Sequence, residues 1–425
     1  MMTSIQRDRG WRGKANFQTS CITIAAVMVA MAFTLPAEAQ TYNVIHSLSG
    51  GGDGSIPFAG LTMDRAGNLY GTTSSGGQIG GNCSIFGCGV VFKMKRSGSS
   101  WVLTPLYTFL GGSDGANPLA RVTIGPDGSL YGTTNSGGTG CDLSGGCGTV
   151  FRLRPPATAC GNPLCRWTET VLHRFTGPDG ASPLYGDLIF DQAGNIYGTT
   201  EDGGASGNGV VFKLSPSGGG YTETVLHSFA SSSNGAVPAG GVIFDNAGNL
   251  YGTTQFGGTV NHGTVYELSP SGSGWTETVL SSLENVGTQS LGGLIFDSAG
   301  NLYGTTSGGG PQNGGTVFEL QPSNGSWTDI EIQHFSGDGG PTGTLTMDAA
   351  GNLYGTAERV NSNGVVFKLS PEGSGWAYSE LHDFGGGNDG LFPFGNVVLD
   401  ASGNLFGTTS AGGTSDSGVV WESSP

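Results

Sequence analysis

Glu201-Asp202 and Glu358-Arg359 stand where other copies of one short motif carry small residues. Seven copies of Gly-Thr-Thr or a close variant recur. The two residues after each are Ser74-Ser75, Asn135-Ser136, Glu201-Asp202, Gln255-Phe256, Ser307-Gly308, Glu358-Arg359 and Ser410-Ala411. Three of the pairs carry chemistry: two carboxylates, an amide beside an aromatic ring, and a carboxylate beside a guanidinium. His262 lies in the same loop as Phe256, and Arg121 and Tyr185 open short apolar runs that begin with Gly or Ala elsewhere. Carboxylates accept hydroxyl protons, an aromatic face stacks on a sugar ring, and His or Arg orients a bound group. Such a set could bind or cleave a saccharide. Drift of surface loops that meet no ligand would leave the same pattern.

Other reactive types fall into the repeat itself. Asp53, Asp114, Asp179, Asn234, Asp338 and Asp389 each precede a Gly. As a ring they could hold Ca²⁺ or sugar hydroxyls, but Asp-Gly is also plain turn chemistry. His46, His173, His227 and His382 share one position of a strand and read as packing residues rather than one site. Gly111-Gly112-Ser113-Asp114-Gly115 fits G-x-S-x-G, yet among 81 Gly it is a chance match outside any strand–turn–helix elbow. No catalytic nucleophile, metal site or cofactor is expected.

These residues need a frame, and the frame is one sentence repeated. An apolar run followed by D-x-A-G-N-L-Y-G-T-T places its aromatic residue at Tyr70, Tyr131, Tyr197, Tyr251, Tyr303, Tyr354 and Phe406, with spacings of 61, 66, 54, 52, 51 and 52. A period near fifty means stacked supersecondary units. The fourth unit reads as strands at 242–244, 249–254, 264–268 and 275–280, called A to D, separated by Gly, Asn, Ser and Pro. The chain opens on a lone D strand, Tyr42 to Leu48, and stops after a C strand, Val419 to Glu422. That offset closes a ring and leaves no open edge. The expectation is an all-β, seven-bladed β-propeller with four antiparallel strands per blade.

G-N-L-Y-G-T-T, followed by G-x-V-F-x-L and a Trp-led fourth strand, resembles the GloVer tandem repeat of bacterial "choice-of-anchor" proteins. The resemblance covers 41–425 and implies a surface or secreted repeat protein. Relatives often end in sorting signals, whereas this chain ends on Glu422-Ser423-Ser424-Pro425.

Residues 1–39 carry Arg7, Arg9, Arg12 and Lys14, an apolar run from Cys21 to Leu35, and Ala37-Glu38-Ala39. This is the layout of a secretory signal peptide, leaving 40–425 as one propeller domain. Of 16 basic and 32 acidic residues, four and two lie in 1–39, so the mature chain carries −18. Such a surface repels nucleic acid and anionic lipid. Six remaining Cys form close pairs, Cys83/Cys88, Cys141/Cys147 and Cys160/Cys165, as expected for disulfides outside the cytoplasm. The expected protein is a secreted monomer with no transmembrane segment. Its variable loops bind a glycan or a protein, without catalysis. The alternative is a propeller enzyme acting on polysaccharide or lactone.

Overall fold

A computed structural model describes residues 40–141, 145–156, 166–230, 233–272, 274–337, 339–359 and 362–425, except the side chains of 359 and 362. Residues 1–39 lie outside the description. Seven four-stranded antiparallel sheets make up the Thr41–Ser424 unit, with no α-helix among the described residues. They form a seven-bladed β-propeller. In blade 4 the strands are Ile243–Phe244, Leu250–Thr253, Val265–Ser271 and Gly274–Ser281, in that spatial order. Blade 7 is completed by the first strand of the propeller: Thr41–Ser47 pairs antiparallel with Val419–Ser424. The ring closes as its sequence offset requires.

Each A–B turn is built by its aspartate. Asp245 Oδ1 accepts the N–H groups of Ala247 and Asn249 at 2.8 Å, and its Oδ2 accepts Asn249 Nδ2 at 2.8 Å. Gly248 sits at φ 89°, where a side chain would be strained. The motif tyrosine reaches back to the same carboxylate, as Tyr197 Oη does to Asp191 at 3.0 Å. Its ring meanwhile packs on the next blade, edge-on to Phe244 at 5.0 Å. One residue thus ties its own turn and buries the blade interface, where a large side chain contributes about 2–3 kcal/mol.

The two threonines of the motif have separate tasks. The first donates across the interface: Thr72 to Ala120 O, Thr199 to Gly240 O, Thr253 to Gly292 O, Thr305 to Gly343 O and Thr356 to Gly395 O, at 2.8–3.1 Å. The second pins the B–C loop of its own blade, as Thr200 Oγ1 does by donating to Asp202 O at 2.8 Å. Blade 6 has Ala357 at this place. Its loop is a hairpin extension in which Arg359 pairs with Ser362.

Around the axis the blades meet backbone to backbone. A Cβ on Gly343 would fall 2.8 Å from Gly395 C, and one on Gly292 would fall 2.7 Å from Gly343 O. Glycine is required there by this approach, not by turn geometry. Two B–C loops are closed by disulfides, Cys83–Cys88 and Cys141–Cys147. Cys160 and Cys165 lie outside the described residues.

Candidate functional site

The entry to strand A determines what faces the channel. Aligned across the blades, the residue before the buried A-strand position is Gly60, Arg121, Asp187, Gly241, Gly293, Thr344 and Asn396. Four side chains therefore project where three blades offer only backbone. Arg121 Nε donates to Asp187 Oδ2 at 2.5 Å between blades 2 and 3. Burial pushes the Asp187 carboxyl up, and the Arg121 guanidinium and its hydrogen bond oppose that rise. Protein surrounds the pair, although about a fifth of the Asp187 side chain stays open to water in the channel.

The pair breaks the threonine ladder. Thr133, between blades 2 and 3, has a buried Oγ1 without a partner, where its counterparts reach a carbonyl. The symmetry of the repeat fails beside its charged insertion.

Arg121, Tyr185 and Asp187 line one axial cavity with Phe58, Thr342 and Phe394 of other blades. Space for the centres of water molecules amounts to about 40 Å³. One water needs roughly 10–15 Å³ by that measure, so the neck holds a few waters and no sugar ring. There Phe58 and Phe394 meet edge-to-face at 5.0 Å.

Glu201 and Glu358 stand at equivalent positions of blades 3 and 6, and the charges of both act on Tyr185, which lines the cavity. Each anchors its loop by donating its backbone N–H, Glu201 to Ser182 O at 3.2 Å and Glu358 to Gly340 O at 3.2 Å. Burial raises the Tyr185 phenol, and the charges of both glutamates raise it further, so the three groups share one field. Burial alone pushes Glu358 up to about 7. Glu201 is raised by burial and then by Asp202, which is exposed at the rim. A phenol and two phenyl rings in one cavity, with two raised carboxyls acting on the phenol, are groups suited to hydroxyl groups and an apolar sugar face.

The rim is held under strain. Ile56, Asn117, Ser182, Val237, Gln289 and Phe392 occupy one position before strand A, all with φ between 54° and 62°. Their carbonyls accept the N–H groups of Ser74, Asn135, Glu201, Gln255, Ser307 and Ser410. Gly340 fills the seventh place, under Glu358. Left-handed Ile and Val are costly, and such residues persist only where surroundings over-determine them.

Of the residues singled out by sequence, Arg121 and Tyr185 line one cavity, and Glu201 and Glu358 act on Tyr185 through their charge. Phe256 is half-buried, its backbone bridged to Ala236. His262 lies in a separate groove with Glu284, Pro311 and Glu331, and its carbonyl accepts Gln289 N–H. The Arg359 side chain and Asp338 lie outside the described residues. Asp187, Phe58, Phe394 and Asn396 were not singled out by the loop comparison. Aligning the A-strand entries would have exposed Asp187, since Gly-Asp-Leu-Ile-Phe replaces Gly-Gly-Leu-Ile-Phe.

The His set has another explanation. His46, His173 and His382 each pair with the aspartate of the following loop, Asp53, Asp179 and Asp389, at 2.9–3.1 Å. They fasten D strands to loops at the outer rim and pack on Phe175 and Phe384, where those rings follow. Among the described residues no group of three metal-ligating side chains assembles. Among the described residues no helix is long and apolar enough to cross a membrane either.

Comparison with known proteins bears on the frame. The model described as the Gloeobacter/Verrucomicrobia repeat matches residues 28–243, 87–283 and 274–425. No curated protein matches the chain. A solved Dyadobacter fermentans protein of unknown function is 11% identical with a TM-score of 0.47, covering 91% of this chain and 98% of its own. A Xanthomonas campestris gluconolactonase is 16% identical at 0.42, covering 78% and 94%. A Lactobacillus plantarum protein is 12% identical at 0.47, covering 78% and 86%. At that overlap they bear on neither activity nor ligand.

Proposed function

Since the chain belongs to the Gloeobacter/Verrucomicrobia repeat family, we propose that it is an exported, non-catalytic propeller that captures a glycan at the Tyr185 mouth. The observation that carries this reading is that Tyr185 lines the axial cavity with Phe58 and Phe394 while the charges of Glu201 from blade 3 and Glu358 from blade 6 both act on it. A seven-fold frame of structural residues breaks its symmetry where blades can address one ligand together. The glutamates and Asp202 disfavour acidic sugars, so the reading commits to a neutral or amino-bearing glycan. Export rests on the basic, apolar and Ala37-Glu38-Ala39 segments and on the loop disulfides, which persist in oxidising compartments.

The test is a glycan array probed with residues 40–425. Retention should fall at least tenfold in Tyr185→Ala and Glu358→Gln, with melting temperatures unchanged. Failure to retain any glycan, or retention indifferent to both changes, overturns the proposal.

Polysaccharide cleavage is the second reading, favoured by one fact: a Glu358 carboxyl titrating near 7 can act as a general acid. Release of reducing ends from a retained glycan, abolished by Glu358→Gln, would replace binding with catalysis.

A further inference from the structure

Strand D carries one inward position that differs sharply among blades. It is Leu103, Glu169, Glu223, Glu277, Asp329, Tyr378 and Tyr42 in blades 1 to 7. The three glutamates occupy consecutive blades. Their cross-strand partners are Leu153, Leu214 and Leu268, all fully buried, so each carboxyl is set against apolar surface.

Each glutamate also faces the fastening group of the preceding blade. Glu169 shares its seam with Asp114, to which Tyr107 Oη donates at 2.9 Å, and with Arg174 on its own strand. Glu223 faces Asp179 and its partner His173. Glu277 accepts Asn234 Nδ2 at 2.9 Å, lies 3.4 Å from His227 Nε2, and acts on the buried Tyr266. Its side chain is only 5% exposed.

These contacts leave acceptors over. Glu169 Oε1, Glu223 Oε1, Glu277 Oε1 and Asp114 Oδ1 are buried without a hydrogen-bond partner. A buried carboxylate oxygen with no donor costs free energy that one proton removes. In the first two seams a second carboxylate stands opposite, which favours that proton further. Asp329, the next acidic residue in this position, borders an open groove with Ser281 and Glu284 and is solvated instead.

We infer that the seams between blades 1 and 2, 2 and 3, and 3 and 4 form a proton-held latch, closed when Glu169, Glu223 and Glu277 are protonated and loosened when they ionise. Burial, then the facing aspartate, pushes Glu169 and Glu223 up to about 7, and burial raises Glu277. A carboxyl raised on folding stabilises fully below its unfolded value near 4.3, and that contribution is lost as pH rises through the folded value. His173 and His227 run the other way, since burial lowers both rings and they remove stability below about pH 6.5. The latch is therefore read on the alkaline side, between about pH 6.5 and 8. It makes one half of the ring respond to pH, including the blade that presents Tyr185 and Glu201.

The experiment is hydrogen exchange by mass spectrometry at several pH values, corrected for intrinsic rates, on residues 40–425. From pH 6.5 to 8, protection should fall at least tenfold in the D strands of blades 2 to 4 and stay constant in the D strands of blades 5 to 7. Glu169→Gln and Glu223→Gln, each a permanent mimic of the protonated form, should flatten the response at their own seam alone. Uniform loss of protection around the ring, or an unchanged response in both variants, overturns the latch. Potentiometric titration of the folded protein gives an independent reading: each variant should lose one group titrating near 7, and loss of none also overturns it.

Discussion

Thr408 donates its Oγ1 hydrogen to the carbonyl oxygen of Ala59 at 2.8 Å, across 349 residues of sequence. This is the interblade bond made by Thr72 and Thr199, repeated at the seam where the chain meets its own beginning. The same seam holds Glu422, which accepts Arg96 Nη2 at 2.5 Å and Trp101 Nε1 at 3.3 Å. Blade 7 thus grips blade 1 by the rules that join all the others.

Closure can be tested on both sides of that seam. Thr408→Val should cost about 1–3 kcal/mol, the loss from leaving a buried carbonyl unpaired, read as a lower urea midpoint at constant slope. Removal of residues 40–49 takes away the D strand of blade 7 and exposes Val419 and Trp421. That protein should aggregate on size-exclusion chromatography. A monomeric profile with an unchanged midpoint would count against closure.

The strained rim offers a gain of stability. Val237 sits at φ 62°, where a β-branched side chain crowds its own backbone, while Asn117 holds the same place in blade 2 at φ 56°. Val237→Asn should raise stability by about 1 kcal/mol, since Asn tolerates the left-handed region. A calorimetric melting temperature unchanged or lowered would show that Val237 packing outweighs its strain.

Why the fold was legible and the site less so follows from the repeat. Six versions of Asp-x-Ala-Gly-Asn, with Gly125-Pro126-Asp127-Gly128-Ser129 in the seventh place, repeat a local turn whose hydrogen bonds lie within six residues, so each copy confirms the others. Blade count, strand order and closure all followed. Tyr185 and Glu358 lie 173 residues apart, and nothing local links them; only the ring brings the charge of one to bear on the other. Position-by-position comparison found Glu201 and Glu358 because they depart from the pattern. His262 departs too, yet it lines a separate groove with Glu284 and Glu331. The signal of Asp187 lies in the strand entry, outside the loops that carry the other departures from the repeat.

Acid should unfold the propeller through its turns. At Asp64, Asp191 and Asp348, burial raises the carboxyl, but the Asn, backbone and Tyr hydrogen bonds outweigh it and hold each below the ordinary value. A carboxyl depressed on folding stabilises above its unfolded value near 3.9, and that contribution is lost as pH falls through the folded one. Stability should therefore drop below about pH 4. Asp191→Asn combined with Asp348→Asn should weaken the protein at pH 6 and reduce the slope of its acid transition. An acid slope identical to wild type would remove the turns from the account.

The channel pair gives the sharpest dissection of structure from symmetry. Removing Arg121 leaves the Asp187 carboxylate facing backbone and a few waters. Breaking a fully buried pair costs roughly 3–5 kcal/mol, and water in the channel should reduce this to about 2–3. Asp187 is already raised by burial, and without the guanidinium nothing opposes the rise. Arg121→Ala should accordingly be weakest above neutral pH and recover part of its loss as acid neutralises Asp187. The sign is that of a carboxyl raised on folding: stability present at low pH and lost as pH climbs. Adding Asp187→Asn should restore most of the stability at pH 8, because no charge is then left unpaired. A double-mutant cycle of urea midpoints at pH 5 and pH 8 measures this coupling. Equal losses at both values, or no rescue by Asp187→Asn, would mean that Arg121 acts through packing against its neighbours and not through the ion pair.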